Sequence, residues 1–278
     1  MTIAASPRTT LPIVRFFRTP KGVLLLVLAL FALLAMPLQG VRQVAPGLLG
    51  ATAAAALADI AIVRLRRQAW IFPSGAILTG VIIALVLRPD ESWYVPIAAS
   101  LLAIGSKHLF RTRWANIFNP AALALVVSSL LFASAQSWWG ALPDLGPIGV
   151  VILLATGVFV ADRINKLPLV LAFLGAYFLL FTATSFVMEP GRVAEVFRTP
   201  DLQAVLFFAF IMVDDPPTSP VRYGGQIFFG IIVAVVAHFV LMTNGAVYFM
   251  LVGLLVANAW EACRRVLLQG KKDKVPGL

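Results

Sequence analysis

At 278 residues, with 60% hydrophobic and only 12% charged side chains, the chain suits lipid rather than water, and no polar stretch is long enough to hold a soluble core. Its net charge of +10 sits in short loops beside apolar runs, where lysine and arginine set topology and meet anionic membrane lipids, so nucleic acid is excluded as the partner. One cysteine, Cys263, excludes an internal disulfide and any cysteine-held iron–sulfur cluster within the chain.

Arg8, Arg15, Arg18 and Lys21 precede the first apolar run, residues 22–38, which has the charge of a signal sequence but no small-x-small cleavage site before Val41 and is read as helix 1. Helix 2 covers about 44–63, contains Asp59 and ends at Arg64, Arg66 and Arg67. Asp59 is expected to reach water or to pair with a nearby arginine. Helix 3, about 71–87, opens with Pro73-Ser74-Gly75, and helix 4, about 93–106, leads into the basic loop 107–113. Helix 5 starts within Asn116-Ile117-Phe118-Asn119-Pro120, since proline fits a first helical turn, and runs to about 135. Helices 6 (148–161) and 7 (168–187) flank the tight loop 162–166.

Helix 8, residues 202–213, is 12 residues long and rises about 18 Å against a hydrocarbon core of roughly 30 Å, so it cannot cross. It ends in Asp214-Asp215-Pro216-Pro217-Thr218-Ser219-Pro220, a non-helical turn tolerable only where protein or a wet cavity covers its backbone. That placement marks a site. Helices 9 (225–242) and 10 (246–260) complete the count, followed by a basic tail.

Lysine and arginine gather at alternate connections: the N-terminus, the loops after helices 2, 4 and 6, and the C-terminus. Both termini are therefore expected on the cytoplasmic side of a bacterial inner (plasma) membrane. Trp70, Trp93, Trp114, Trp138 and Trp139 fall at helix ends or in loops, as interfacial belts require. Residues 84–90 align with 211–217 at an offset of about 127 residues, pairing helices 3, 4 and 5 with 8, 9 and 10. An offset of five helices inverts one half relative to the other. The chain is thus read as one all-α membrane domain over 1–278, with repeat 1 at about 22–135, repeat 2 at about 148–262, and basic tails.

Ser74-Gly75-Ala76-Ile77-Leu78-Thr79-Gly80, Lys107 with Asn116-Ile117-Phe118-Asn119-Pro120-Ala121, and Val213-Asp214-Asp215-Pro216-Pro217-Thr218-Ser219-Pro220 together resemble one family, which unites the D membrane component of the Rnf complex with the B membrane component of the sodium-pumping NADH:quinone reductase. The resemblance implies ten helices in two inverted five-helix repeats, similar to urea and ammonium channels, with interrupted helices. It implies a membrane subunit that holds flavin and passes electrons alongside other redox-complex subunits. Family members carry FMN esterified to a threonine after helix 5, but the loop 134–144 has no threonine, which speaks against covalent FMN.

What remains is a non-covalent flavin, riboflavin or FMN, near the cytoplasmic face. An isoalloxazine needs an apolar slot with donors and acceptors along its polar edge. Asn116 and Asn119 offer both and share a face if their turn is helical, Phe118 supplies a wall, and Asp214 or Asp215 accepts from the ring or its hydroxyls. Ser74, Gly75, Lys107 and Pro120 belong to the resembling motifs, and Thr218 either bonds a cofactor or caps a helix. Capping is the competing role for the asparagines. A b-type haem is excluded, because His108 lies in a loop and His238 about 13 residues into helix 9, roughly 20 Å deeper. No metal-spacing, phosphate-loop or Ser–His–Asp pattern occurs. The competing function is a channel or carrier for a small neutral or cationic solute on the same fold.

Overall fold

The computed structural model describes residues 12–67, 69, 72–112, 115–188, 194 and 197–272. Trp70, Trp114, the helix 3 start at Ile71, and the loop and tail charges Arg8, Arg113, Glu189, Arg192, Glu195 and Lys274 lie outside the described residues.

A short helix α1 (Pro12–Phe17) leads through Thr19, whose hydroxyl caps Gly22 N at 3.2 Å, into α2 (Pro20–Gln39). Gly40 at φ +88° turns the chain directly into α3 (Val41–Leu65), a conformation that favours glycine. Then follow α4 (Ser74–Val86), α5 (Tyr94–Leu109) and α6 (Pro120–Phe132). A partly buried loop at 133–145 connects to α7 (Gly146–Arg163), and a tight turn at 164–166 to α8 (Leu167–Met188). Next is α9 (Thr199–Phe207), which continues as a π-helical turn, Phe208–Val213. Last come α10 (Tyr223–Asn244) and α11 (Phe249–Lys272).

Among the described residues, five stretches are long and apolar enough to cross a membrane: α2, α3, residues 139–163, α8 and α10. The protein is a multi-pass membrane protein. Three apolar helices among the described residues are shorter, namely α4, α6 and the 199–213 segment. Two of these short helices are enclosed by their neighbours over most of their length. In α4 every residue from Leu78 to Val86 is buried, and so is the whole π turn of 208–213. The second begins three residues earlier than the sequence suggests, because Thr199-Pro200 can open a helix.

On the first half, α3 packs on α4 and α5; on the second, α8 and α11 pack on α10, and α7 on α9; α6 meets α11 across the halves. The α3–α4 contact is backbone to backbone: a Cβ at Gly80 would lie 2.7 Å from Ala51 O. Phe31, Phe173, Phe207, Phe208 and Trp139, all buried, fill one core, with Phe31 of the first half packed on Phe207 of the second.

Short helices leave carbonyls that lipid cannot satisfy, and other segments supply the donors. At the end of α4, Ser137 N and Trp138 N both bond Val86 O, and Trp139 Nε1 bonds Ala84 O at 2.7 Å. The loop 133–145 is held in turn by Gln203 of α9, fully buried, whose Nε2 reaches Leu142 O at 2.9 Å and Gly146 O at 2.8 Å.

Candidate functional site

A cavity of about 890 Å³ opens where the start of α4, the end of α3, the end of α5, the start of α6 and the turn after 208–213 converge. Its size falls within the range of small-molecule and cofactor sites. Of the candidates in the sequence, Ser74 and Gly75 enter it from α4, Lys107 from α5, and Asn116, Asn119 and Pro120 from the approach to α6. Asp214 and Asp215 face them from the second half of the chain.

Two candidates stand elsewhere. Phe118 packs edge-on against Phe110 at 5.9 Å and Thr218 turns onto its own loop, so neither lines the cavity. Nor is the Asn116–Asn119 stretch helical: Arg111 and Asn116 form an isolated bridge, Ile117 N bonds Phe110 O at 2.9 Å, and α6 starts only at Pro120. The two asparagines therefore do not share a helical face.

Asn119 is largely spent on the fold. Its Oδ1 accepts from Ala122 N at 3.0 Å as the α6 N-cap, its Nδ2 donates to Met212 O at 3.3 Å, and its N–H donates to Asn258 Oδ1 at 2.9 Å. The bond to Met212 covers a carbonyl that the π turn leaves open. Replacing Asn119 by alanine is expected to lower stability by about 1–2 kcal/mol through loss of the cap alone, measured as a drop in thermal midpoint in detergent. An unchanged midpoint would contradict the capping role.

The carboxylates divide the work. Asp215 closes the turn, with Oδ2 accepting from Thr218 Oγ1 at 2.9 Å and its carbonyl accepting from Ser219 Oγ at 2.7 Å. Asp214 is 3% exposed, lines the cavity, and has no hydrogen-bond partner for Oδ2 among the described residues. A buried acceptor without a donor is destabilising, and such an atom at a cavity wall is suited to a ligand that brings the donor.

Asp59 pairs with a lysine and a histidine rather than with the arginines that follow it. Its Oδ1 accepts from Lys107 Nζ at 2.9 Å and lies 2.8 Å from His108 Nε2, and both partners belong to the last turn of α5 rather than to a loop. All three line the cavity. Local sequence signals Asp59 as a charge in an apolar helix, but its partners are 48 and 49 residues away and cannot be read from spacing. Lys107→Met alone should be tolerated because His108 remains. The double variant Lys107→Met/His108→Leu strands a buried carboxylate and is expected to lose about 3 kcal/mol. Equal thermal midpoints for the single and double variants would refute the shared bond.

The cavity thus sets Lys107, His108 and their partner Asp59 on one wall and the carboxylates of the 214–220 turn on another. Lys21 and Arg111, which no motif singled out, also line it. Among the described residues no group of histidine, cysteine, aspartate and glutamate is arranged to hold a metal ion.

Comparison with known proteins agrees with the motifs. The matching relatives include the D component of the ion-translocating oxidoreductase complex of Stutzerimonas stutzeri, 36% identical over 75 residues, which is 27% of this chain and 21% of that protein. Its counterpart in Aliivibrio salmonicida (strain LFI1238) is 30% identical over 89 residues, 31% of this chain and 25% of that protein. That of Rhodobacter capsulatus is 32% identical over 77 residues, 27% and 20%. The matches span about a fifth to a quarter of the length of these relatives. Residues 17–147 match the model of the NQR2, RnfD, RnfE family, a stretch that includes Ser74, Lys107, Asn116 and Asn119 and stops short of Asp214. The family matched over residues 17–147 is the one that the motifs of this chain resemble.

Proposed function

We propose that this protein is a membrane subunit of an ion-translocating oxidoreductase complex, with a flavin, riboflavin or FMN, held non-covalently in the cavity. One observation carries the reading: Asp214 presents an unpartnered, buried acceptor oxygen to a cavity of about 890 Å³. An isoalloxazine ring is flat, largely apolar and edged by an imide N–H and two carbonyls, so its chemistry fits that wall. When bound, such a group supplies the electron-carrying chemistry. The chain's part is to bind and orient it, with Asp214 accepting, with Lys107, Asn116 and Ser74 on the opposing walls, and with Leu78 and Ile82 of α4 excluding water.

Electron donor and acceptor sites belong, in this reading, to other subunits, since a single cysteine cannot build an iron–sulfur centre. The loop 133–145 is tied to the end of α4 and lacks threonine over 134–144, which supports non-covalent over covalent attachment. Ten spans in two inverted five-helix repeats are supported by α4 and the 199–213 segment, short buried helices ending in the aligned stretches 84–90 and 211–217. The basic ends and loops support a bacterial inner membrane with both termini cytoplasmic. The aromatic fill of the core speaks for a closed bundle rather than a solute channel.

The test is the visible spectrum of the purified protein between about 350 and 500 nm, followed by acid precipitation. A flavin released into the supernatant is the expected result. Colour in the pellet would mean covalent attachment, and a protein still colourless after incubation with riboflavin and FMN would overturn the flavin assignment.

A further inference from the structure

The turn 214–220 carries Asp214 to the cavity, yet it has no helix or sheet to hold it. Prolines at 216, 217 and 220 remove three N–H groups, and its outward carbonyls need donors from elsewhere. Two cations provide them. Lys166, in the tight turn between α7 and α8 and only 4% exposed, directs Nζ to Pro220 O at 2.5 Å and Ser219 O at 3.4 Å. Arg265 of α11 donates from Nη1 to Pro217 O at 2.8 Å and from Nη2 to Ser219 O at 2.7 Å. Asn258 fills the gap, its Nδ2 donating to Thr218 O at 3.3 Å.

Arg265 is itself aimed. Its Nε donates to Glu261 Oε1 at 2.7 Å, and Glu261, 2% exposed, also takes Arg264 Nε on Oε2 at 2.7 Å. Burying an ammonium and a carboxylate this deeply is unfavourable unless each is compensated, and here the charges close on one another around a single turn. Lys166 has Asp214 and Asp215 of that turn and Glu261 of α11 as opposite charges, and Arg265 as a like charge.

From this we infer that Lys166 and Arg265 are positioning residues: they clamp the proline-rich turn by its carbonyls and, with Lys166 as the buried counter-charge, hold Asp214 at the cavity wall in the geometry that receives the ligand's donor edge. The ligand half of this inference rests on the flavin reading above; the clamp itself does not. Neither cation lines the cavity, so both act through Asp214.

A titration follows from the same burial. Desolvation, partly countered by Asp214 and reinforced by Arg265, pushes Lys166 down from 10.5 to about 8. Between those two values the unfolded chain binds more protons than the folded one, so stability rises with pH across that window and is lowest below it. Lys166→Met should flatten the rise in thermal midpoint.

The decisive experiment compares Lys166→Met, Lys166→Arg and Arg265→Gln with the wild type, first by hydrogen–deuterium exchange without ligand and then by riboflavin titration read as fluorescence quenching. Lys166→Met and Arg265→Gln should speed amide exchange at residues 214–222 by about tenfold or more, leave α2 and α3 unchanged, and weaken riboflavin binding by at least about tenfold. Lys166→Arg should recover much of both. Arg265→Gln, at the edge of the bundle, keeps the test alive if Lys166→Met does not fold. Unchanged exchange at 214–222 overturns the clamp, and faster exchange with undiminished riboflavin affinity overturns its link to the ligand. A wild type that takes up neither riboflavin nor FMN overturns the flavin reading instead, while the exchange arm still decides the clamp.

Discussion

Replacing Asp214 by leucine is expected to make the ligand-free protein more stable and to weaken flavin binding strongly. The buried Oδ2 has no donor among the described residues, so the wild type carries the desolvation of a polar group without the compensating bond. Removing it relieves about 1–3 kcal/mol, seen as a higher thermal midpoint in detergent. Lys166 loses its strongest opposite charge with Asp214 but keeps Asp215 and Glu261, which offsets part of the gain without reversing it. Loss of the acceptor should weaken riboflavin binding by about a hundredfold, since truncating one partner of a buried polar pair removes roughly 3 kcal/mol. Opposite signs for stability and binding are the signature of a functional carboxylate. A structural one would lower both, and a leucine variant that is less stable yet still binds riboflavin would sink the assignment.

Gly80→Leu is expected to be among the most damaging single changes in the first half. A Cβ there would sit 2.7 Å from Ala51 O and 2.8 Å from Thr52 Cα, both backbone atoms that cannot yield without moving α3 away from α4. Forcing side-chain volume into a packed contact costs about 3 kcal/mol, and α4 has no other way to be covered than by its neighbours. Gly105→Leu in α5 is the matched control, because nothing lies within 4 Å of the added atom, and it should shift stability by less than about 0.5 kcal/mol. Similar folded yields for the two variants, measured by size exclusion in detergent, would contradict the close α3–α4 approach.

Much of the architecture is legible in the chain because lipid imposes one rule on every apolar run. Hydropathy marks α2, α3, α8 and α10, and the brevity of 202–213 together with its proline-rich end marks a segment that must be covered by protein. The same rule makes Asp214 and Asp215 the sharpest candidates, and they do face Ser74, Lys107 and Asn116 across one cavity.

Helical spacing misleads where the chain turns instead. Asn116 and Asn119 sit on a bridged loop, so Phe118 packs on Phe110 rather than lining a slot, and Asn119 is consumed by capping. The arginines next to Asp59 in sequence are its obvious partners, whereas the fold brings α5 alongside α3 and gives it Lys107 and His108. Lys166 and Arg265 read as topology-setting loop charges and prove to be donors to the carbonyls of a distant turn.

The sequence by itself therefore determined that this is a helical membrane protein, where its apolar segments lie, and that a carboxylate-bearing break interrupts one of them, because these follow from burial of apolar side chains and from the hydrogen-bond needs of backbone in lipid. Only the tertiary structure decided which polar groups are satisfied. Whether Asp59, Asp214, Asn119 or Lys166 is spent on the fold or left for a ligand depends on donors and acceptors dozens of residues away, and those meet only when the helices pack, within one half for Asp59 and Lys166 and across the halves for Asn119.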